Sequence, residues 1–286
     1  MALSTHFRGL ILCDIDETLI NADYKLTVSR ETLCAVLQQA LEAGFAVGLN
    51  SDTAIQALVA RAHEFGMNGP LIGERGALLA RNTTDTPAYT VATGQHLENT
   101  MKKILAQFVN HLLARGDCSL VFDGVGNITP VLEKDTPTSL PIRVFINNER
   151  RCSVGFWIRD INGGKPKKNP DTSQRIVDEF IKATQMVGVD INSLDIDNNP
   201  DYGICIVHHP DTQKSVAVQA LLNSSPTTTV YMIGNSISDL LNHPSIVQCA
   251  VGNAKDAYKA QCSIVAKHTL SEGVVEIIQR IIREPN

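Results

Sequence analysis

The chain has a single tryptophan and only 5% aromatic residues, and no apolar run comes near the roughly 18 residues that a membrane-spanning helix needs. The first apolar stretch, residues 9–13, is five residues long and stops at Asp14, so neither a signal peptide nor a membrane span is expected there. There is no Cys-x-x-Cys pair among the seven scattered cysteines (13, 34, 118, 152, 205, 249 and 262). Structural zinc therefore lacks its ligand spacing, and the odd, dispersed set reads as reduced thiols of a cytoplasmic protein. An excess of basic charge is missing as well: 25 Lys and Arg face 30 Asp and Glu, a net charge of −5. That balance gives no electrostatic footprint for nucleic acid or an anionic membrane, so any anion must be held by a local arrangement. Repeats and low-complexity tracts are absent too.

What is present is the composition of a globular protein, with 43% hydrophobic and 19% charged residues, enough for a sizeable core. At roughly 150 residues per domain, 286 residues allow one large domain or two ordinary ones. The apolar run 9–13 reads as a strand buried on both faces. A helix follows, with Ser29 able to cap it, Leu33, Val36, Leu37, Ala40 and Leu41 as its apolar stripe, and Gly44 able to end it. Residues 45–49 form a second apolar run closing on Asn50, Ser51 and Asp52; a helix over 53–64 and a strand at 71–72 come next. Strand–helix–strand order of this kind implies right-handed crossovers and a parallel sheet.

The pattern changes after about residue 81. Residues 82–95 read as a linker, 97–115 as a helix, 119–122 as a strand, 142–147 and 152–158 as a hairpin, and 173–187 as a helix; short strands follow at 194–197 and 203–208. Residues 163–166, Gly-Gly-Lys-Pro, read as a polar loop. Alternation then resumes: a helix capped by Thr212 to about 222, strands at 228–233 and 247–251, a helix at 255–261, a short strand at 263–266, and a closing helix at 272–282. The expected architecture is a Rossmann-like α/β parallel-sheet core domain, 1–81 and 209–286, with an inserted α+β cap domain, 82–208.

Ligands of open α/β sheets collect at the carboxyl ends of the strands. The polar residues that terminate strands here are Asp14 and Asp16, Asn50 and Ser51, Asn235 and Asp239, and Asn253, with Lys214 at the start of the helix after the insertion. Two close carboxylates with a further oxygen ligand suit Mg²⁺, which prefers hard oxygen donors and keeps several waters. A lysine and a hydroxyl beside them suit a phosphoryl group.

These residues carry a resemblance. Asp14-Ile15-Asp16-Glu17-Thr18 is similar to the Asp-x-Asp-x-Thr signature of the haloacid dehalogenase-like (HAD) phosphatases. Ser51 stands at that superfamily's hydroxyl position, Lys214 at its lysine, and Gly234 to Asp239 resembles its Gly-Asp-x-x-Asn-Asp stretch. Gly252-Asn253-Ala254 and Glu272-Gly273-Val274 look like the tail of the Cof-type and sugar-phosphate phosphatase subgroup, which carries a large C2-type cap. Departures are Asn235 and Ser238 within the fourth motif, Asp52-Thr53 in place of Gly-Arg, and Arg75-Gly76-Ala77 in place of Asn-Gly-Ala.

The resemblance implies a Mg²⁺-dependent phosphatase of a small phosphate monoester, a sugar phosphate above all. Asp14 is then the nucleophile that forms an aspartyl-phosphate, Asp16 the general acid and base, and Lys214 the third catalytic residue. Thr18, Ser51, Asp52 and Asn253 would bind substrate, and Asp14, Asp16, Asn235 and Asp239 would serve the metal, Asp239 by ordering its waters or Lys214. The partner expected is a small phosphorylated metabolite, with neither nucleic acid nor membrane, acted on by a monomer or homodimer. In the cap, Arg143, Trp157, Arg159 and residues 165–168 are candidates to face the sugar, although a tryptophan at position 157 is more often a core residue. His208 and His209 do not read as a metal pair, because adjacent strand residues point to opposite faces. Two other readings stand beside this one. Asn235 and Ser238 motivate a catalytically weak phosphate-ester-binding or sensor protein. A receiver-type domain also uses strand-end aspartates, a hydroxyl and a lysine, but has no inserted cap.

Overall fold

The computed structural model describes residues 7–123, 139–224 and 229–283. The expected strand start at Thr228 lies outside them. The described chain separates into two compact units, Met1–Thr90 with Gln213–Asn286, and Val91–Thr212.

The first unit is built on an eight-stranded sheet in the order β14-β13-β12-β1-β2-β3-β4-β5. Its centre is β1 (Gly9–Cys13), β2 (Phe45–Asn50), β3 (Leu71–Gly73) and β12 (Val230–Gly234), in which every residue is buried. Continuous apolar strands of this kind occur where both faces of a parallel sheet are covered. Leu10, Leu12, Val230 and Met232 point to the face covered by Ala217, Val218, Leu221 and Leu222 of α5 (Lys214–Ser224). On the other side α1 (Arg30–Glu42) packs on β2, on α2 (Ile55–Phe65) and on α7 (Leu270–Arg283). Ser29 caps α1 as expected, its side chain accepting from the Thr32 N–H, and α2 ends at a left-handed Gly66. Parallel pairing continues through β13 (Ile246–Ala250) and β14 (Ile264–Val265).

Three local expectations change. Residues 82–95 are not simply a linker: β4 (Leu78–Ala80) turns back antiparallel on β3, and β5 (Ala88–Tyr89) pairs with β4. The core unit therefore runs to Thr90 rather than ending near 81. Thr212 does not cap α5, because its hydroxyl donates to the His209 carbonyl at 2.6 Å. Helix α2 begins after Ala54, and ahead of it the Ser51 hydroxyl closes a turn on Thr53, accepting its N–H at 3.2 Å. The helix expected over 255–261 shrinks to α6 (Asp256–Lys259).

The second unit has a sheet in the order β10-β11-β8-β7-β6, with β9 on β8. Its strands are β6 (Cys118–Asp123), β7 (Ile142–Asn147), β8 (Val154–Asn162), β9 (Lys165–Lys167), β10 (Asp195–Asn199) and β11 (Ile204–His208). The β7–β8 hairpin is present as expected. The Gly-Gly-Lys-Pro segment is a second hairpin rather than a loop: Gly163 and Gly164 turn at φ 59° and 80°, and Lys165 pairs with Asn162. Two helices, α3 (Gly94–Arg115) and α4 (Pro170–Met186), pack together, and Phe108, Phe156 and Phe180 meet with ring centroids 4.9 to 5.4 Å apart.

These helices are also joined by ions. The Glu179 carboxylate lies 2.5 Å from His111 Nε2, 2.9 Å from Arg115 Nη1 and 3.0 Å from Lys182 Nζ. Asp117 pairs with Arg115 at 2.8 Å and Arg175 at 3.1 Å. The His111 hydrogen bond, with Lys182 and Arg115, holds Glu179 below its ordinary pKa, and the Arg115 bond does the same for Asp117. A carboxylate whose folded-state pKa is depressed stabilises the fold above its unfolded-state pKa and loses that contribution as pH falls through the folded value. Urea midpoints should therefore drop as pH is lowered from about 5 toward 3. Glu179→Gln should lower the neutral-pH stability by about 1–3 kcal/mol and flatten this dependence. An unchanged acid limb in the variant would assign the pH effect elsewhere.

Candidate active site

Register in the parallel sheet decides which polar residues meet. Cys13 is the partner of both Leu49 and Ile233, so the residues following β1, β2 and β12 emerge side by side. Asp14 comes first. Its N–H donates to the Ile233 carbonyl at 2.9 Å, and only 5% of its surface is exposed. The chain then turns tightly, with the Ile15 carbonyl accepting from the N–H groups of Thr18, Leu19 and Ile20. This turn brings the Thr18 hydroxyl back to donate to Asp14 Oδ2 at 3.1 Å and leaves Asp16 exposed at its rim.

Lys214, 200 residues further on, fills the space between two acids. Its Nζ donates to Asp14 Oδ1 and to Asp239 Oδ1, each at 2.7 Å. All three side chains are buried. Asp239 is held in turn by the N–H groups of Asn235 and Ser236, which donate to its Oδ2 at 3.0 and 3.2 Å. Gly234 makes room for this, since a Cβ there would lie 2.4 Å from Asp239 Oδ2. Both oxygens of Asp239 are thus engaged, one of them by the lysine. Of the two tasks expected for this residue, ordering Lys214 is the one its geometry fits.

Burial pushes the Asp14 carboxyl up; the Lys214 ammonium opposes this, and the Asp239 and Asp16 carboxylates reinforce it, for a net rise. Burial alone would depress Lys214, but Asp14, Asp239 and Asp52 outweigh it and hold the ammonium above the ordinary lysine value. The lysine stays charged. Asp14, Lys214 and Asp239 form one buried acid–base–acid chain, on which the charges of Asp16 and Asp52 also act.

Other expected residues fall as follows. Ser51 is fully buried at the end of β2 and donates to Thr53 Oγ1 at 3.1 Å. Asp52 is half-buried beside it, close enough for its charge to act on Lys214. The Asn253 amide is engaged at both ends, donating to the Glu17 carbonyl at 2.7 Å and accepting from the Leu270 N–H at 2.9 Å. It braces the turn that carries Asp16 and Glu17. Asn235 is half-buried, and its side-chain amide has no partner among the described residues. Cys13 is inert: burial, with the neighbouring Asp14 and Asp239, pushes its thiol far up.

The candidates in the second unit have partners within it. The Arg159 Nη1 donates to the carbonyls of Ile158 and Tyr202 at 2.7 and 3.0 Å. Arg143 is 2% exposed with its guanidinium 5.7 Å from the Phe145 ring centroid, and Trp157 packs against that same ring. Lys168 lies over Tyr202 at 4.8 Å. His208 is buried in β11, while His209 Nδ1 faces Asp211 at 3.5 Å, so the two histidines do not converge.

Among the described residues no three His, Cys, Asp or Glu side chains gather as a metal site. The donor set at the strand ends explains this: Asp14 and Asp16 are acids, Asn235 is neutral, and Asp239 is committed to Lys214. The Asp14 carboxylate, the Asp16 backbone carbonyl and the Asn235 amide oxygen, with water completing the shell, still fit Mg²⁺, which binds through one or two carboxylates and keeps several waters. Sequence reasoning missed the partnership of Thr53 with Ser51. It also assigned no role to Gly76, although Arg75-Gly76-Ala77 was visible at the end of a strand.

The sequence profile of the haloacid dehalogenase-like hydrolases matches residues 11–278. The chain belongs to this family. It is therefore an enzyme, a hydrolase. No curated protein matches it in sequence. Among solved structures, a haloacid dehalogenase-like hydrolase from Bacteroides thetaiotaomicron aligns with TM-score 0.61 and 16% identity, over 96% of this chain and 99% of that one. A HAD subclass IIB sugar phosphatase aligns with TM-score 0.55 and 15% identity, over 96% and 98%. A candidate HAD/COF-like hydrolase from Plasmodium vivax aligns with TM-score 0.56 and 16% identity, over 97% and 96%. At these identities the likeness is one of fold, and the fold is that of Cof-like HAD proteins. No helix among the described residues is long and apolar enough to cross a membrane.

Asp239→Asn should unseat the lysine. The new amide cannot accept at both positions, and its NH₂ would face either the ammonium or two backbone N–H groups. A stability loss on the order of 3 kcal/mol is expected in denaturant titration. Lys214, protected in the native protein, should become reactive to an amine reagent. Native stability and protection in the variant would show that Asp239 does not hold Lys214.

Proposed function

We propose that this hydrolase is a Mg²⁺-dependent phosphatase of small phosphate monoesters, sugar phosphates in particular, working through an aspartyl-phosphate on Asp14. The observation that carries the reading is the buried Asp14–Lys214–Asp239 chain, with Lys214 Nζ 2.7 Å from each carboxylate. It aims a carboxylate and an ammonium into one strand-end position, as in-line phosphoryl transfer requires. The sugar phosphatase of the same fold supports the substrate class.

In this mechanism an Asp14 carboxylate oxygen attacks phosphorus as the ester P–O bond breaks, and Asp16 gives its proton to the departing alkoxide. Water then attacks the aspartyl-phosphate; Asp16 takes its proton, and phosphate leaves with Asp14 restored. The exposed rim position of Asp16 lets it reach both the leaving oxygen and solvent. Lys214 neutralises charge spreading onto the phosphoryl oxygens, and the turn at Asp52 and the Ser51 hydroxyl, on rotating away from Thr53 Oγ1, supply hydrogen-bond donors. Thr18 orients Asp14 through its hydrogen bond, and Asn253 braces the turn beyond it. Asp14, Asp16 and Asn235 would hold Mg²⁺, which when bound offsets negative charge on the phosphate and on Asp14.

Asp14→Asn should abolish phosphate release from a panel of sugar monophosphates while the protein stays folded; retention of most of the native turnover would overturn the covalent mechanism. Asp16→Asn should slow turnover by about 10²–10⁴-fold through lost proton transfer.

A second reading, a phosphate-ester-binding protein with little hydrolysis, is favoured by one feature, the neutral Asn235 among the ligands. Replacing a carboxylate by an amide lowers attraction to a divalent cation, here by about tenfold or more in affinity, where tenfold is about 1.4 kcal/mol. Asn235→Asp should therefore tighten Mg²⁺ binding in calorimetry and raise phosphate release at low Mg²⁺. An aspartate variant needing as much Mg²⁺ as the native protein would sink this account of Asn235. Absence of release by both forms at saturating Mg²⁺ would favour the binding protein.

A further inference from the structure

Three consecutive residues after β3 lie in the left-handed region: Glu74 at φ 51°, Arg75 at 56° and Gly76 at 91°. Side chains other than glycine and asparagine rarely adopt this backbone, and two in succession persist only where the surroundings over-determine them. Here they do. The Glu74 N–H donates to the Thr53 carbonyl at 3.0 Å, and the Arg75 N–H to the Ser51 carbonyl at 3.3 Å. The arch is thereby tied to the turn that carries Ser51. On its far side the Thr90 hydroxyl donates to the Gly76 carbonyl and the Thr90 N–H to the Ala77 carbonyl.

The Gln213 carbonyl presses on the crown of this arch. A Cβ on Gly76 would lie 2.1 Å from Gln213 O, 2.5 Å from Gln213 C and 3.0 Å from Lys214 N. All three are backbone atoms, so no side-chain rotation can relieve the overlap. Lys214 begins α5, and its ammonium must reach both Asp14 and Asp239.

We propose that Gly76 is a positioning residue for Lys214: the left-handed arch is the seat of the Gln213–Lys214 peptide and sets where the lysine ammonium stands. Thr90 is the last residue of the core unit before the inserted unit, and Gln213 is the first after it. Both crossings are thus fastened at one arch, inside the core unit. The lysine is placed by core backbone bonded to the Ser51 turn, which preorganises the two elements proposed to meet the phosphoryl group. The inference rests on the proposed phosphatase reading only in taking phosphate as the ligand of Lys214.

The test compares Gly76→Ala with Gly66→Ala in the full chain. Gly66 is also left-handed, at φ 72°, but a Cβ there would meet nothing within 4 Å. Both variants carry the backbone penalty of a left-handed alanine; only Gly76→Ala also displaces Gln213. Binding of inorganic phosphate with Mg²⁺ is read by calorimetry, and labelling of Lys214 by an amine reagent at fixed pH is read by mass spectrometry. Gly76→Ala should weaken phosphate binding by at least about tenfold, about 1.4 kcal/mol, and expose Lys214 to labelling, since the displaced ammonium loses its reach to the strand ends. Gly66→Ala should leave both readouts near native. Should Gly76→Ala fail to fold, Thr90→Val removes the hydroxyl bond to the arch without adding bulk to it, and should give the same changes more weakly. Native phosphate affinity and native protection of Lys214 in a folded Gly76→Ala, or failing that in Thr90→Val, would overturn the proposal. Lys214→Ala separates the two readings. If it loses phosphate binding while Gly76→Ala keeps it, only the positioning role fails. If it binds phosphate as the native protein does, the phosphatase role of Lys214 fails, and the labelling result alone decides the positioning role.

Discussion

The core unit is organised around one buried ammonium. Lys214 is 5% exposed, and charge in such a place is tolerated only when it is paired and hydrogen-bonded on several sides. Asp14 and Asp239 provide those partners, and each is secured by other parts of the chain. Thr18 reaches Asp14 from the turn after β1, and the N–H groups of Asn235 and Ser236 reach Asp239 from the end of β12. The lysine therefore ties together two central strands and the helix that covers them.

Around this group the molecule separates tasks by element. The central strands are buried throughout and almost wholly apolar, and the polar side chains Asp14, Ser51 and Asp239 stand just past their ends. Backbone, more than side-chain variety, does the positioning. The tight turn on Ile15, the turn closed by Ser51 on Thr53 and the left-handed arch at Glu74 to Gly76 each hold a functional group through main-chain bonds. The inserted unit is stabilised on its own terms, by the Phe108–Phe156–Phe180 trio and the ions around Glu179, and several of its arginines are consumed internally.

How much of this was legible in advance follows the range of the forces involved. The central strands and α1 were readable because apolar runs and a serine cap are local signals. The antiparallel strands β4 and β5 were not. Each is two or three residues long, too short for any periodicity, and exists because an edge of the sheet accepts it. The cap expected of Thr212 failed for a related reason: its hydroxyl found the nearer His209 carbonyl once the turn had closed. The hydrogen bond of Arg159 to the Tyr202 carbonyl was not legible either, because it joins residues 43 positions apart.

By itself the sequence determined the family, the α/β alternation and the identity of the strand-end residues, because the Asp-x-Asp-x-Thr stretch and apolar strands are encoded over a few consecutive positions. Tertiary structure decided what those residues do to one another. Lys214 and Asp14 are 200 positions apart, and the packing of α5 on the parallel strands β1 and β12 brings them within 2.7 Å. The commitment of Asp239 to the lysine, the bracing by Asn253 and the seat that Gly76 offers Gln213 all depend on packing of this kind, since electrostatics and van der Waals contact act through space rather than along the chain.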